Sequence, residues 1–200
     1  MIRKRNFFWL TLIILPIILL VYSCNESSTP KPRGYFRIDF PEKEYQLLDS
    51  IYPYTFMYPK YAEVVEDNSW NAEKNWINID YPQYKARIHI SYKVAQGKLD
   101  SLLEDSRKLT YKHALKADAI NEKVFSNPQN HVYGIVYNIK GNAASSWQFM
   151  VTDSNKHFLR GALYFSLTPN KDSLSPAIDF IGEDIIHLIE TLNWKDTNSK

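Results

Sequence analysis

Trp76-Ile77-Asn78-Ile79-Asp80-Tyr81-Pro82-Gln83-Tyr84-Lys85-Ala86-Arg87-Ile88-His89-Ile90-Ser91-Tyr92-Lys93 contains two runs in which apolar and polar residues alternate, with a proline between them. Alternation at period two is the mark of a strand with one buried face. If the runs form a hairpin around Pro82, Ile79 faces Ile88 and Ile77 faces Ile90, and any even-length loop centred there keeps one register. The opposite face then carries Asn78 across from His89 and Asp80 across from Arg87, with Ser91 nearby. An antiparallel sheet is therefore the expected frame of the chain.

Working outward, residues 35–40 (Tyr-Phe-Arg-Ile-Asp-Phe) alternate in the same way and end at Pro41, which predicts a half-buried strand. Residues 54–58, stopped by Pro59, and residues 61–65 predict two more. Over residues 98–115 the period changes, with Leu99, Leu102, Leu103, Leu109 and Ala114 at helical spacing. Strand signals return at residues 119–125, 132–140, 147–152 and 158–167, with turns at Gly141-Asn142 and Asp153-Ser154-Asn155. The last element reads as a helix with Ser175 as its N-cap and Pro176 at its first position. Ile178, Ile181, Ile185, Leu188, Ile189 and Leu192 form its apolar stripe. The order strands, helix, strands, helix predicts an α+β domain with a mainly antiparallel sheet covered by two helices. That order resembles the PsbP/Mog1-type sandwich, a likeness that carries no function.

The chain has 200 residues, 24 basic and 22 acidic, and a sequence pI of 8.4. Arg3, Lys4 and Arg5 are the only charged residues among the first 24, so residues 25–200 carry 21 basic and 22 acidic side chains. A nearly neutral body argues against nucleic-acid binding, which needs a concentrated basic surface. The single cysteine excludes an internal disulfide and any multi-cysteine metal site.

That cysteine closes a distinctive leader. A basic start gives way to an apolar run over residues 7–22, broken only by Thr11 and Pro16, and Ser23-Cys24 follow. Such a run is shorter than the roughly 20 residues that span a bilayer, and it reads as a signal peptide over residues 1–23, with an uncleaved N-terminal anchor as the alternative. Val21-Tyr22-Ser23-Cys24 resembles a bacterial lipobox, in which the cysteine is acylated and becomes the first residue of the mature chain. Two or three acyl chains, palmitate among them, hold a protein on a membrane where one alone holds only reversibly. Residues 24–34, rich in Ser, Thr and Pro, read as a flexible tether. A single domain over 35–195 and a disordered tail over 196–200 complete the expected organisation.

Motifs that carry chemistry are few. His89, His113, His131, His157 and His187 are scattered, and no phosphate-loop, zinc-protease or nucleophile-elbow pattern occurs. Neither a metal nor a cofactor is expected. The Asn78, Asp80, Arg87, His89 and Ser91 face of the hairpin reads as a solvated surface with a cross-strand Asp80–Arg87 pair, rather than as catalytic parts. Fourteen of the 29 aromatics lie between Tyr35 and Tyr92. Most are expected in the core, and Tyr52, Tyr54, Tyr58, Tyr61 and Trp70 are the candidates for an exposed interaction patch.

Pro30-Lys31-Pro32-Arg33-Gly34-Tyr35-Phe36-Arg37-Ile38, following a lipobox cysteine, resembles the gliding-motility lipoprotein family GldD of Bacteroidetes, and the likeness extends from the leader through Trp194. The resemblance implies a cell-envelope lipoprotein required for gliding and linked to the type IX secretion apparatus, acting as a non-enzymatic assembly or interaction factor. The implied partners are the membrane, through lipid on Cys24, and other gliding and secretion proteins of the envelope. The alternative is a protein that binds or modifies peptidoglycan or polysaccharide. Only Glu26 is acidic in the stretch that follows Cys24, which favours an outer-membrane anchor facing the periplasm; an inner-membrane anchor is the alternative.

Cys24→Ser should abolish incorporation of a radiolabelled fatty acid and leave the leader in place. Unchanged labelling of the variant would refute the assignment of Cys24.

Overall fold

The hairpin read from residues 76–93 stands in its expected register in the structure, a computed structural model, with Ile77 opposite Ile90, Ile79 opposite Ile88, Asn78 opposite His89 and Asp80 opposite Arg87. Its loop is even in length: a 3-10 turn, Pro82–Tyr84, is closed by Lys85 in the left-handed region at φ 49°. The structure describes residues 38–49, 51–113, 116–166 and 171–195, all within the unit Arg37–Lys200. The leader, the tether, residues 35–37 of the first expected strand and the tail lie outside the described residues.

In chain order the elements are β1 (Tyr45–Leu47), β2 (Tyr54–Thr55), β3 (Met57–Pro59), β4 (Glu63–Glu66), β5 (Ile77–Tyr81), β6 (Ala86–Val94), α1 (Leu99–His113), β7 (Ala117–Asn127), β8 (Val132–Gly141), β9 (Ser145–Thr152), β10 (His157–Phe165), α2 (Lys171–Glu190) and β11 (Asn193–Trp194). Seven strands form one antiparallel sheet in the order β4-β5-β6-β10-β9-β8-β7, so the expected α+β architecture holds. The connection through α1 carries the chain from β6 to the far edge, and the meander β7 to β10 returns until β10 pairs with β6. Two small pairs, β1 with β3 and β2 with β11, complete the strands. Among the described residues, no helix is long and apolar enough to cross a membrane.

The two helices take opposite faces. Ile181, Ile185, Leu188, Ile189 and Leu192, all at most 2% exposed, pack with Ile77, Ile79, Ile88, Ile90, Leu159 and Leu163 in the larger core. Each such side chain contributes about 1.5–3 kcal/mol by leaving water. Ile178 is only partly buried, and Ala177, at 4% exposed, takes its place on the stripe. On the other face Leu99, Leu102 and Leu103 of α1 pack over Tyr137, Ile139, Met150 and Phe158. Coverage there is incomplete. β9 is buried at seven of its eight positions, whereas β6 is buried only on the face it turns to α2.

Two expectations fail at the ends of the chain. Residues 38–40 are not strand; Ile38 is 38% exposed, and Phe40 stacks on Phe180 of α2 with centroids 4.3 Å apart. Pro41 offers no N–H to a ladder, and Phe40 reaches an apolar partner through one ring contact instead. At the other end α2 begins at Lys171, so Ser175 is not its cap and Pro176 lies inside it. At the sixth position Pro176 forfeits one intrahelical bond, a small loss near a helix start.

One buried carboxylate ties the N-terminal segment to α2. Asp184, 1% exposed, accepts from Lys43 Nζ at 2.7 Å, Tyr61 OH at 2.8 Å and Tyr45 OH at 3.0 Å. Lys43 also donates to the Phe180 carbonyl at 2.6 Å and sits 3.6 Å from the centroid of that ring. Burial and the Asp184 charge together push the Tyr45, Tyr61 and Tyr81 hydroxyls far above their ordinary range, so all three remain protonated donors.

Removing the acceptor would leave a half-buried ammonium and several phenols without it. Asp184→Ala should cost about 3–5 kcal/mol, read as a lowered urea midpoint of the full chain in detergent. A midpoint equal to that of the parent would show that the network does not hold the fold.

Candidate functional site

Where α1 stops short of β6, the sheet face opens into a cleft of about 620 Å³. The alternation of β6 sends His89, Ser91 and Lys93 to its floor, and the register of β10 adds Phe158, Arg160 and Tyr164 beside them. Leu102, Asp105, Ser106 and Leu109 of α1 form one wall. Asp67, Ser69, Asn71 and Trp76, on the connection from β4 to β5, form the other.

Arg160 dominates the floor. It lies directly across from Ser91 and projects from a strand with no other Lys, Arg, Asp or Glu. Its Nη2 donates to Gln148 Oε1 at 2.6 Å, and Thr110 Oγ1 of α1 lies 3.2 Å from the same oxygen. Its other described partner is the Tyr164 hydroxyl. Both partners are nominally neutral, and no carboxylate among the described residues pairs with the guanidinium. Burial accordingly lowers the Arg160 pKa, with Tyr164 acting in the opposite sense. Arginine remains charged despite such a shift, so the cleft floor holds a cation without a counter-ion.

The remaining charges surround it. Lys93 is engaged by Glu73 and lies 5.4 Å from the centroid of the Trp76 ring, whose Nε1 donates to the Tyr92 carbonyl at 3.0 Å. Asp67 is partly buried, which works against its charge; the Ser69 amide at 2.9 Å, the Ser69 and Asn78 side chains and nearby His89 prevail and hold its pKa below the usual carboxylate value. His89 meets the ring of Tyr164 edge-on at 5.5 Å. Burial first, then the Arg87 charge and that of Arg160, lower the His89 pKa from 6.5 against the pull of Asp67 and Asp80.

The hairpin residues read from sequence divide here. His89 and Ser91 line the cleft, while Asp80 and Arg87 are joined to each other outside it by a bidentate pair at 2.5 and 2.7 Å. Ser91 Oγ lies 3.5 Å from the Arg160 carbonyl, so Asp80, His89 and Ser91 are not wired as a proton relay. Asn78 is 3% exposed and its Oδ1 has no partner.

The five aromatics proposed as a contact patch do not form one. Tyr54 is fully buried and donates to the Asn75 carbonyl at 2.8 Å, stacked between Tyr52 and Phe56. Tyr61 serves Asp184, and Tyr52 and Tyr58 pack part-buried against the larger core. For Tyr54 and Tyr61 the cause is the same: a tyrosine that finds a buried acceptor gains more from its ring area inside than outside. Trp70 alone is exposed, at 98%, and the residues on either side of it line the cleft. Cys24 lies outside the described residues. Sequence reasoning passed over Arg160, whose signal was a lone arginine in an otherwise apolar strand.

Comparison with known proteins gives a family and a likeness of shape. A family model described as "Gliding motility lipoprotein GldD" matches residues 25–194. No curated protein matches the chain. Among solved structures the chain is similar to the solution structure of cyanobacterial PsbP (CyanoP) from Synechocystis sp. PCC 6803, at 12% identity and a TM-score of 0.43, over 76% of this chain and 95% of that one.

The His89 pKa is lower folded than unfolded, so its contribution is complete above 6.5 and is lost as pH falls below that value toward the folded one. His89→Gln should therefore flatten the decline of the urea midpoint between about pH 7 and pH 5. Parallel curves for parent and variant would contradict the placement of His89 among cations.

Proposed function

The chain belongs to the GldD family of gliding-motility lipoproteins, and from that premise we propose that it is a non-enzymatic assembly or interaction factor linked to the type IX secretion and motility apparatus. Family membership itself gives an envelope lipoprotein with a role in gliding. The observation that carries the finer reading is the extent of the match, residues 25–194, which takes in every strand and helix of the described fold up to β11. The motility role thus belongs to the α+β domain as a whole. The wiring of its polar face supports binding over turnover: Asp80 is neutralised by Arg87, and Ser91 lies against a carbonyl.

In this reading Cys24 carries the lipid, palmitate included, and the tether over residues 24–34 holds the domain at the outer membrane on its periplasmic side. The lone acidic residue Glu26 after the cysteine is the sequence feature that supports this placement. The partners are other envelope proteins of the gliding and secretion machinery.

Crosslinking in intact gliding cells, followed by identification of the trapped chains, should return envelope proteins of that machinery. Failure to trap any of them, together with normal secretion in cells lacking the chain, would overturn the assembly role.

A further inference from the structure

We propose that the cleft between α1 and the β4–β5 connection binds a sugar bearing a carboxylate, with Arg160 receiving the acid group. This goes beyond the assembly role and assigns the domain a ligand of its own.

Three observations carry it. The first is the charge on the floor. Arg160 has five N–H donors in a planar fork that matches a carboxylate in two-point contact. Its described partners are Gln148, itself 1% exposed, and Tyr164, and neither carries a formal negative charge. The Gln148 contact fixes the guanidinium before any ligand arrives, which spares the ligand that ordering cost. A half-buried cation without a counter-ion favours an anion that enters the cleft, and the reduced dielectric strengthens that pair.

The second is what stands around the cation. Asp67 and Asp105 line the two walls as acceptors, and Ser69, Asn71 and Ser106 add short polar groups. A ligand with one acid and many hydroxyls meets this arrangement at every point, its hydroxyls donating to the wall carboxylates. A polyanionic peptide or a phosphate dianion would be repelled by the same two aspartates.

The third is aromatic. Trp76 and Tyr164 present rings to the cleft, and Trp70 stands fully in solvent between Ser69 and Asn71. An amphipathic ring on the loop that forms one wall of the cleft suits the apolar face of a pyranose, and a 98% exposed indole has no packing role in the fold. The volume of about 620 Å³ falls within the usual range of small-ligand pockets.

The test is titration of the full chain in detergent with a hexuronic acid trisaccharide and with N-acetylmuramic acid, followed by calorimetry and tryptophan fluorescence. Saturable binding of either acid, at least about tenfold tighter than its uncharged counterpart, supports the proposal, and the preferred acid tells a polysaccharide source from a cell-wall one. Arg160→Gln should weaken binding by about tenfold or more. Because that change also disturbs Gln148, Trp70→Ala serves as the second variant; it removes an exposed ring and should weaken binding about threefold or more with an unchanged urea midpoint. Equal binding of neutral and acidic sugars, tighter binding of triglutamate or inorganic phosphate, no saturable binding of either acid, or full affinity in a folded Arg160→Gln chain would overturn it.

Discussion

The pairing of β6 with β10 is the constraint on which the rest depends. Nine residue pairs join them, from His157 opposite Val94 to Phe165 opposite Ala86. The contact unites a hairpin from the first half of the chain with a meander from the second, and it fixes two things at once. On one face it aligns Ile88 and Ile90 with Leu159 and Leu163 beneath α2. On the other it sets Arg160 across from Ser91 and beside His89, at the edge of the area that α1 covers. Core and cleft are two sides of one register. A slip of β10 by one residue would exchange them, placing the Arg160 guanidinium in the core and Leu159 in the cleft.

The two charged centres of the domain are satisfied differently. Asp184 is surrounded: an ammonium and several phenols converge on one carboxylate, so its burial is offset on every side. Removing any one donor leaves others. Arg160 is supported by groups that position it without cancelling its charge. The first pattern is that of a structural tie, since a buried charge is tolerated when its partners are complete. The second is that of a site awaiting a partner, because the desolvation cost has been met without the Coulombic return. Trp70 belongs with the second pattern, being a large apolar surface held where the fold derives no benefit from it.

Much of the fold was legible in the sequence because alternation encodes burial on one face. The β5–β6 hairpin was readable down to its register, and β8 to β10 and most of the apolar stripe of α2 were readable as elements. Where burial comes from a single contact, alternation misleads. Residues 38–40 alternate, yet Phe40 is placed by Phe180, a residue 140 positions away. Pro176 reads as a first helical residue from local chemistry alone, although the helix tolerates it a turn and a half in. The cleft was half legible. His89 and Ser91 could be singled out, but whether the sheet face bearing them is open or covered depends on how far α1 extends across the sheet, and no local pattern states that. The tyrosines show the same limit, since Tyr61 and Trp70 look alike as aromatics in a polar stretch and only the position of Asp184 separates them.

The tie between Lys43 and Asp184 spans 141 residues, and the β6–β10 pairing spans between 63 and 79. Contacts so distant along the chain must overcome loop-closure entropy before they return any energy, which makes folding slow. The domain therefore cannot close from its first half alone: β6 has no second neighbour until β10 exists, and the segment bearing Lys43 has no anchor until α2 follows. A chain released gradually from its N-terminus stays open until almost all of it has emerged. In an envelope lipoprotein, long-range topology of this kind acts as a timer, because the fold locks only once nearly the whole chain is available.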